Sequence, residues 1–146
     1  MKVTIQRVSS ASCVVNNQLI NKIEHGYMLL IGFTHNDTLE NVNKMCKKIA
    51  NLRIFEDQND KMNLSIKDVN GSILAISQFT LYADCNGGNR PSFVDSMRPD
   101  PANELYLKMI DILNNEYQIP TFGGVFGAHM YLNPICDGPV TINLEF

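Results

Sequence analysis

The sequence lacks several features that would each announce a function. No pair of its four cysteines is spaced as CxxC, and Cys13, Cys46, Cys85 and Cys136 lie far apart. Widely separated thiols without partners at ligand spacing read as reduced cysteines of a cytoplasmic protein rather than as a disulfide framework. The three histidines, His25, His35 and His129, are equally scattered, so no metal ligand set is expected. There is no apolar run of membrane-spanning length, and the N-terminus "MKVTIQRVSSASCVV" has no long apolar core of the signal-peptide kind. There is no basic excess either. The net charge is -3, whereas a protein that grips nucleic acid through many phosphates usually carries positive charge. A nucleic-acid role must then rest on a local patch or on a chain end. Internal repeats, linkers and low-complexity segments are also missing.

What remains is an ordinary globular composition, 45% hydrophobic and 18% charged over 146 residues, enough for one domain spanning residues 1–146. "VTIQRVSSASCVV" is rich in β-branched residues and reads as a strand, "NNQ" as a turn and "LINKIE" as a second strand. "YMLLIGF" is apolar at almost every position, the mark of a central strand buried on both faces. In "NDTLENVNKMCKKIANL", Leu39, Val42, Met45, Ile49 and Leu52 recur at helical spacing, and Asp37 with Glu40 fits a capping box. Lys44, Lys47, Lys48 and Arg53 fall on or near the opposite side, which reads first as a solvated face and second as a weak RNA-facing patch. "VNGSILAISQFTL" is a further strand entered through an Asn-Gly turn. "CNGGNRP" is a flexible loop. "DPANELYLKMIDILNNEY" is a second helix with Asp100 as N-cap and Pro101 at its first position, burying Ala102, Leu105, Met109, Ile112 and Leu113. The C-terminal stretch reads as two strands broken at "NPICDGP". The expected fold is α+β: a mixed, mostly antiparallel sheet forming a partly open barrel, covered by two helices.

"SQFTLYADC", Ser77 to Cys85, ends a buried-looking strand with hydroxyls. A nucleophilic Ser77 or Thr80 needs a base in reach and a partner to orient that base. The GxSxG elbow is absent, and no histidine is placed near Ser77 by any motif. Three readings follow: an activated hydroxyl, a structural hydroxyl bonded to backbone, or small polar side chains holding a strand end whose backbone N–H groups act as an oxyanion hole. The missing base weakens the first. "DGP" before the last strand reads on its own as a turn, since proline in a sheet is confined to edges, turns and bulges.

Taken together, "MKVTIQRVSSASC", "LRIFED", "KMNLSI", "SQFTLYAD", "GNRPSF", "GVFGAHM" and "DGPVT" resemble the D-aminoacyl-tRNA deacylases over the whole chain. The order of "SQFTL" and "GPVT" in a chain of this length carries most of the specificity. The resemblance implies hydrolysis of the ester between a D-amino acid and the terminal adenosine of tRNA, and possible removal of glycine mischarged on tRNA. It implies a site in which Ser77, Gln78, Phe79 and Thr80 form the catalytic segment. Backbone N–H groups at Phe79 and Thr80 and the RNA 2′-hydroxyl assist, and Thr80 is not required as a nucleophile. It implies substrate contacts from Phe126 and Met130. Gly138-Pro139, as a cis peptide, would enter the other subunit's site in a homodimer and reject L-aminoacyl esters, with Arg7 supporting the motif. No cofactor, no metal, no membrane and no DNA partner are implied; the partners are the aminoacyl-tRNA 3′ end and a second copy. Two positions depart from the family pattern: Gly87 stands where a lysine is usual, and Cys136-Asp137 where Asn-Asp is usual. A non-catalytic module that binds aminoacyl-tRNA ends is the alternative, and an ordinary serine or threonine esterase is a further one.

Overall fold

In the computed structural model, which describes residues 1–146, the first strand organises the rest. β1 (Lys2–Val15) is long enough to pair with three others. Its N-terminal half runs antiparallel to β3 (Gly26–Gly32), and its C-terminal half runs antiparallel to β2 (Gln18–Ile23). Its other edge pairs almost throughout with β8 (Tyr131–Glu145). Beyond β3 the sheet continues in parallel through β6 (Ser72–Ser77) and β7 (Thr121–Gly123). The order β2-β1-β3-β6-β7, with β8 against β1, curls into a nearly closed barrel. A separate hairpin, β4 (Arg53–Glu56) with β5 (Met62–Ser65), links the first helix to β6. The fold is the α+β class expected from the strand-rich pattern, a mixed sheet with two helices.

The strands at the centre bury both faces, and alternation sorts their side chains. Tyr27, Leu29 and Ile31 of β3, with Ile73 and Ala75 of β6, face α1 (Leu39–Asn51) and α2 (Pro99–Asn115), where Val42, Met45, Ile49, Tyr106, Met109 and Leu113 complete the main core. Met28, Leu74 and Ile76 point the other way, into a smaller cluster with Val8, Ala11, Cys13 and Ile23. "YMLLIGF" is therefore the doubly buried strand its composition predicts.

Three local expectations are corrected. The first helix is capped by Thr38, whose N–H donates to Asn41 Oδ1 at 2.9 Å, not by Asp37 and Glu40. Asp37 is committed elsewhere: its carboxylate receives the Met1 ammonium at 2.6 Å and the Thr34 N–H at 2.7 Å. Glu40 instead pairs with Lys44 across one helical turn at 2.7 Å, leaving that lysine on a solvated face. The second helix starts two residues early, with Arg98 at the cap and Pro99 as the first helical residue, because Pro99 already has the fixed φ that suits that position. The tail is one strand, not two. Opposite β1 the partners step from Val8↔Cys136 to Gln6↔Thr141, five residues of β8 against two of β1, so the break at "DGP" is a bulge within a continuing strand.

Gly26 opens β3 at φ 155°, and a Cβ there would lie 1.8 Å from the Ser72 carbonyl oxygen, where β6 begins. We expect Gly26→Ala to lose more than about 3 kcal/mol in denaturant unfolding, since both the backbone conformation and the parallel pairing resist it. Gly87→Ala, where the added carbon meets nothing within 4 Å, should stay within about 0.5 kcal/mol of the parent. Equal midpoints for the two variants would contradict this account of the β3–β6 junction.

Candidate active site

A cleft of about 580 Å³ opens where the parallel strands β3 and β6 end. Ile31, Phe33, Ile76 and Ser77 form its strand-end side, Gln78 and Phe79 one wall, the segment Phe93–Pro99 another, and Phe126–Met130 the third. The chain leaves β6 at Ser77, is pinned by the Gln78 N–H to the Ile31 carbonyl at 2.7 Å, and turns at once into a short 3-10 turn, Phe79–Tyr82. Gly32 permits that closeness, because a Cβ there would meet the Gln78 carbonyl at 2.9 Å. The N–H groups of Phe79 and Thr80 open the turn, so no carbonyl within it accepts them.

Neighbouring segments fix this turn from outside. The Ser96 hydroxyl donates to the Phe79 carbonyl at 3.0 Å, and the Phe79 and Phe93 rings meet edge to face at 5.0 Å. The Phe93–Met97 segment is in turn held by Thr34 Oγ1 to the Asp95 carbonyl at 2.6 Å and by the Met97 N–H to the Phe33 carbonyl at 2.9 Å. On the far wall, the buried Tyr106 hydroxyl of α2 donates to the Ala75 carbonyl at 2.8 Å and accepts the Gly124 N–H at 3.1 Å. Its ring leans on Phe126 at 5.9 Å. Gly124 sits so close beneath Met130 that a Cβ would lie 2.6 Å from the Met130 sulfur. Tyr106 was not legible as a site residue; only its helical position, next to the expected stripe residue Leu105, hinted at burial.

Of the residues singled out from sequence, Ser77, Gln78, Phe79, Phe126 and Met130 line this one cleft. Thr80 stands just behind, exposed, with its hydroxyl accepting from the Gln78 side-chain amide. No base approaches either hydroxyl. His35 bonds the Val94 carbonyl through its ring, and His129 lines the cleft but packs edge to face on Tyr131. Asp84 bonds Asn86. No group of three metal-ligating side chains is assembled anywhere.

Gly138, Pro139 and Arg7 do not line the cleft of their own chain. The Gly138-Pro139 peptide is cis, and both residues are exposed on the β8 bulge, with Gly138 at φ 120°. Arg7 lies beneath, 3% exposed. Its guanidinium donates to the Ile54 carbonyl at 2.8 Å and the Asp137 carbonyl at 3.2 Å, and it pairs with the carboxylates of Asp137 at 3.1 Å and Glu56 at 3.4 Å. The bulge is thus clamped at its base while its tip is free.

This combination defines a class of candidate site: a cleft of strand-end backbone and apolar walls, in which no nucleophile–base pair and no cluster of metal-ligating side chains is assembled. The family model described as D-Tyr-tRNA(Tyr) deacylase matches residues 4–145, and the chain belongs to that family. Curated relatives named D-aminoacyl-tRNA deacylase include those of Chloroherpeton thalassium, 48% identical over 145 residues covering 99% of this chain and 95% of the relative. Another, from Lactobacillus gasseri, is 48% identical over 146 residues covering 99% of both chains. Among solved structures, one named c-Myc DNA Unwinding Element Binding Protein matches with a TM-score of 0.95 at 38% identity, over 100% of this chain and 99% of that one.

Burial raises the Tyr106 hydroxyl to about 12 and the Cys46 thiol to about 12, and lifts Tyr27 as well. Each group is held neutral by the fold and ionises more readily in the unfolded chain. Their stabilisation is therefore complete below the ordinary thiol and phenol values and is lost as pH rises toward 12. We expect unfolding midpoints in denaturant to hold up to about pH 9 and fall steeply beyond pH 10. Tyrosinate absorbance of Tyr106 should appear only with loss of the fold. Free titration of every tyrosine in the folded protein near the ordinary phenol value would contradict this.

Proposed function

We propose that the chain hydrolyses the ester linking a D-amino acid to the 3′-terminal adenosine of tRNA, using backbone and RNA groups in place of a side-chain nucleophile. Family membership supplies the reaction class, a hydrolase acting on aminoacyl-tRNA esters. The observation that carries the mechanism is the cleft itself: two hydroxyls stand at its end or edge and no base addresses either one.

In this reading the aminoacyl end enters the cleft with its carbonyl oxygen toward the Phe79 and Thr80 N–H groups. These stabilise the negative charge that develops when water adds to the carbonyl carbon. The 2′-hydroxyl of the terminal ribose helps to orient and deprotonate that water. The tetrahedral adduct collapses with cleavage of the carbonyl–ribose oxygen bond. The ribose oxygen takes the proton, and free D-amino acid and tRNA leave. An aminoacyl ester is reactive enough for positioning and electrostatics to suffice. Ser77 and Gln78 hold the backbone, while Phe126 and Met130 pack against the bound end.

Chirality is read by exclusion. A pocket distinguishes near-isosteres poorly, so a clash against the wrong hand is the effective device. Gly138-Pro139 is suited to this, being backbone, exposed, and clamped from below by Arg7. Because it does not line its own cleft, it would act in the cleft of a second copy, giving a two-fold homodimer with two equivalent sites, working in the cytoplasm. Glycine, lacking a side chain, would pass the same filter as D-amino acids.

Deacylation of matched D- and L-aminoacyl-tRNA by the purified protein is the primary test. The expected preference for the D ester exceeds roughly 100-fold; comparable rates for both hands would refute the reading. Binding of both esters without turnover would favour the non-catalytic alternative.

Thr80→Ala should keep activity within roughly tenfold of the parent, whereas a true nucleophile would lose several orders of magnitude. A trapped acyl-threonine would overturn the backbone mechanism. Sedimentation under assay conditions should find dimers, with specific activity falling once dilution separates them; a fully active monomer would remove the role of Gly138-Pro139 across the interface.

A further inference from the structure

Arg98 is the only lysine, arginine, aspartate or glutamate among the residues lining the cleft. It is exposed, so it stands at the mouth rather than in the depth. Its guanidinium has no hydrogen-bond or ion-pair partner in the chain, whereas Arg7, beneath the β8 bulge and away from this cleft, is saturated with them. The backbone from which it projects is fixed on both sides. The Met97 N–H is bound to the Phe33 carbonyl at 2.9 Å, the Arg98 carbonyl accepts the Ala102 N–H at 3.2 Å, and Pro99 restricts Arg98 to the extended conformation it shows, φ -58° and ψ 150°. A free cation on a fixed stalk at the edge of a cleft lined by no carboxylate, in a chain of net charge -3, calls for an anion in the ligand.

The ligand of the proposed reaction offers one suitable group there. The aminoacyl ammonium is cationic and repels arginine. The ribose and base are neutral. The phosphodiester joining the terminal adenosine to the preceding nucleotide is the anion that remains at the mouth when the ester lies in the depth. A planar guanidinium presents paired N–H donors to such a phosphate. We propose that Arg98 binds the phosphodiester on the 5′ side of the terminal adenosine and so sets how deeply the aminoacyl end is seated. The assignment rests on the deacylase reading for the identity of the ligand. It also gives the chain a cationic RNA contact at the cleft although Gly87 occupies the loop position where a lysine is usual in the family.

The test uses two non-hydrolysable probes: the RNA trinucleotide CCA with D-tyrosine amide-linked to its terminal ribose, and the same D-tyrosyl amide on adenosine without phosphate. Arg98→Ala should cut the preference for the first over the second about five- to tenfold. It should flatten the log–log salt dependence of trinucleotide binding by about 0.7, the loss of one single-strand phosphate contact. Arg98→Lys should recover part of both. The thermal midpoint should not move, since the side chain has no partner to lose. An unchanged preference or an unchanged salt slope overturns the assignment, as does equal weakening of both probes. Wild-type protein that binds neither probe overturns it together with the deacylase reading. Wild-type protein that shows the Arg98-dependent preference but leaves the corresponding D-tyrosyl ester intact overturns only the catalytic reading and leaves the phosphate contact standing.

Discussion

The buried guanidinium of Arg7 is the constraint on which the geometry at the C-terminal end of the molecule depends. Placing a charge at 3% exposure is costly unless every donor is matched. Here the matching groups come from three parts of the chain: the Ile54 carbonyl and Glu56 from β4, and the carbonyl and carboxylate of Asp137 from β8. Where β8 departs from regular register, the arginine occupies the gap and ties the bulge to the hairpin behind it. Removing any one partner would leave a buried charge short of a bond, so the arrangement is held as a unit. That is how an exposed Gly-Pro tip can keep a defined position without contacts of its own, and why Asp137 tolerates Cys136 as its neighbour: the exposed Cys136 side chain takes no part in the clamp.

At the opposite end of the barrel the same economy appears in the cleft. No titratable side chain is set against another to make a nucleophile. Backbone is brought to a point by hydrogen bonds from its surroundings: Gln78 to β3, Ser96 to the Phe79 carbonyl, Tyr106 across the ends of β6 and β7. The neutral Tyr106 hydroxyl serves as both donor and acceptor, a task that ionisation would end, and its burial keeps it neutral. The Thr80 hydroxyl accepts a bond from its neighbour Gln78.

How much of this was legible in the sequence depended on whether a local signal carried it. Burial of "YMLLIGF" on both faces could be read because parallel and antiparallel neighbours leave no polar alternation to preserve. The helices could be read from their apolar period, but their first residues could not. Asp37 looked like a cap, yet it lies where the Met1 ammonium and the Thr34 N–H compete for its carboxylate, and a tertiary ion pair outranked a local one. The tail looked like two strands because proline and glycine are local punctuation, whereas its continuity comes from pairing with β1, more than a hundred residues away in sequence. In the cleft, the residues carried by motifs, Ser77 to Phe79, Phe126 and Met130, do converge. Tyr106 and Arg98 belong to no such motif. Their significance lies in which groups stand beside them, or fail to, and only the folded chain supplies that.

The distribution of the two arginines also bears on how an acidic protein can act on RNA. Arg7 is neutralised by two carboxylates and contributes little field outside the protein, so its charge serves structure. Arg98 has no counter-charge, and no carboxylate lines the cleft to oppose it. Net charge averages over these two situations and hides the difference between them. At physiological ionic strength the field of a distant surface carboxylate decays within about 8 Å, so an unpaired cation at a cleft mouth is felt locally whatever the total. A small number of such contacts favours recognition of the end of a nucleic acid over its length, because only an end can place a phosphate-free aminoacyl ester inside an apolar cleft while its nearest phosphate stays at the rim. The negative total charge then works in the same direction, by disfavouring attachment along the phosphates of the tRNA body and leaving the aminoacylated terminus as the part of the molecule that gains by binding.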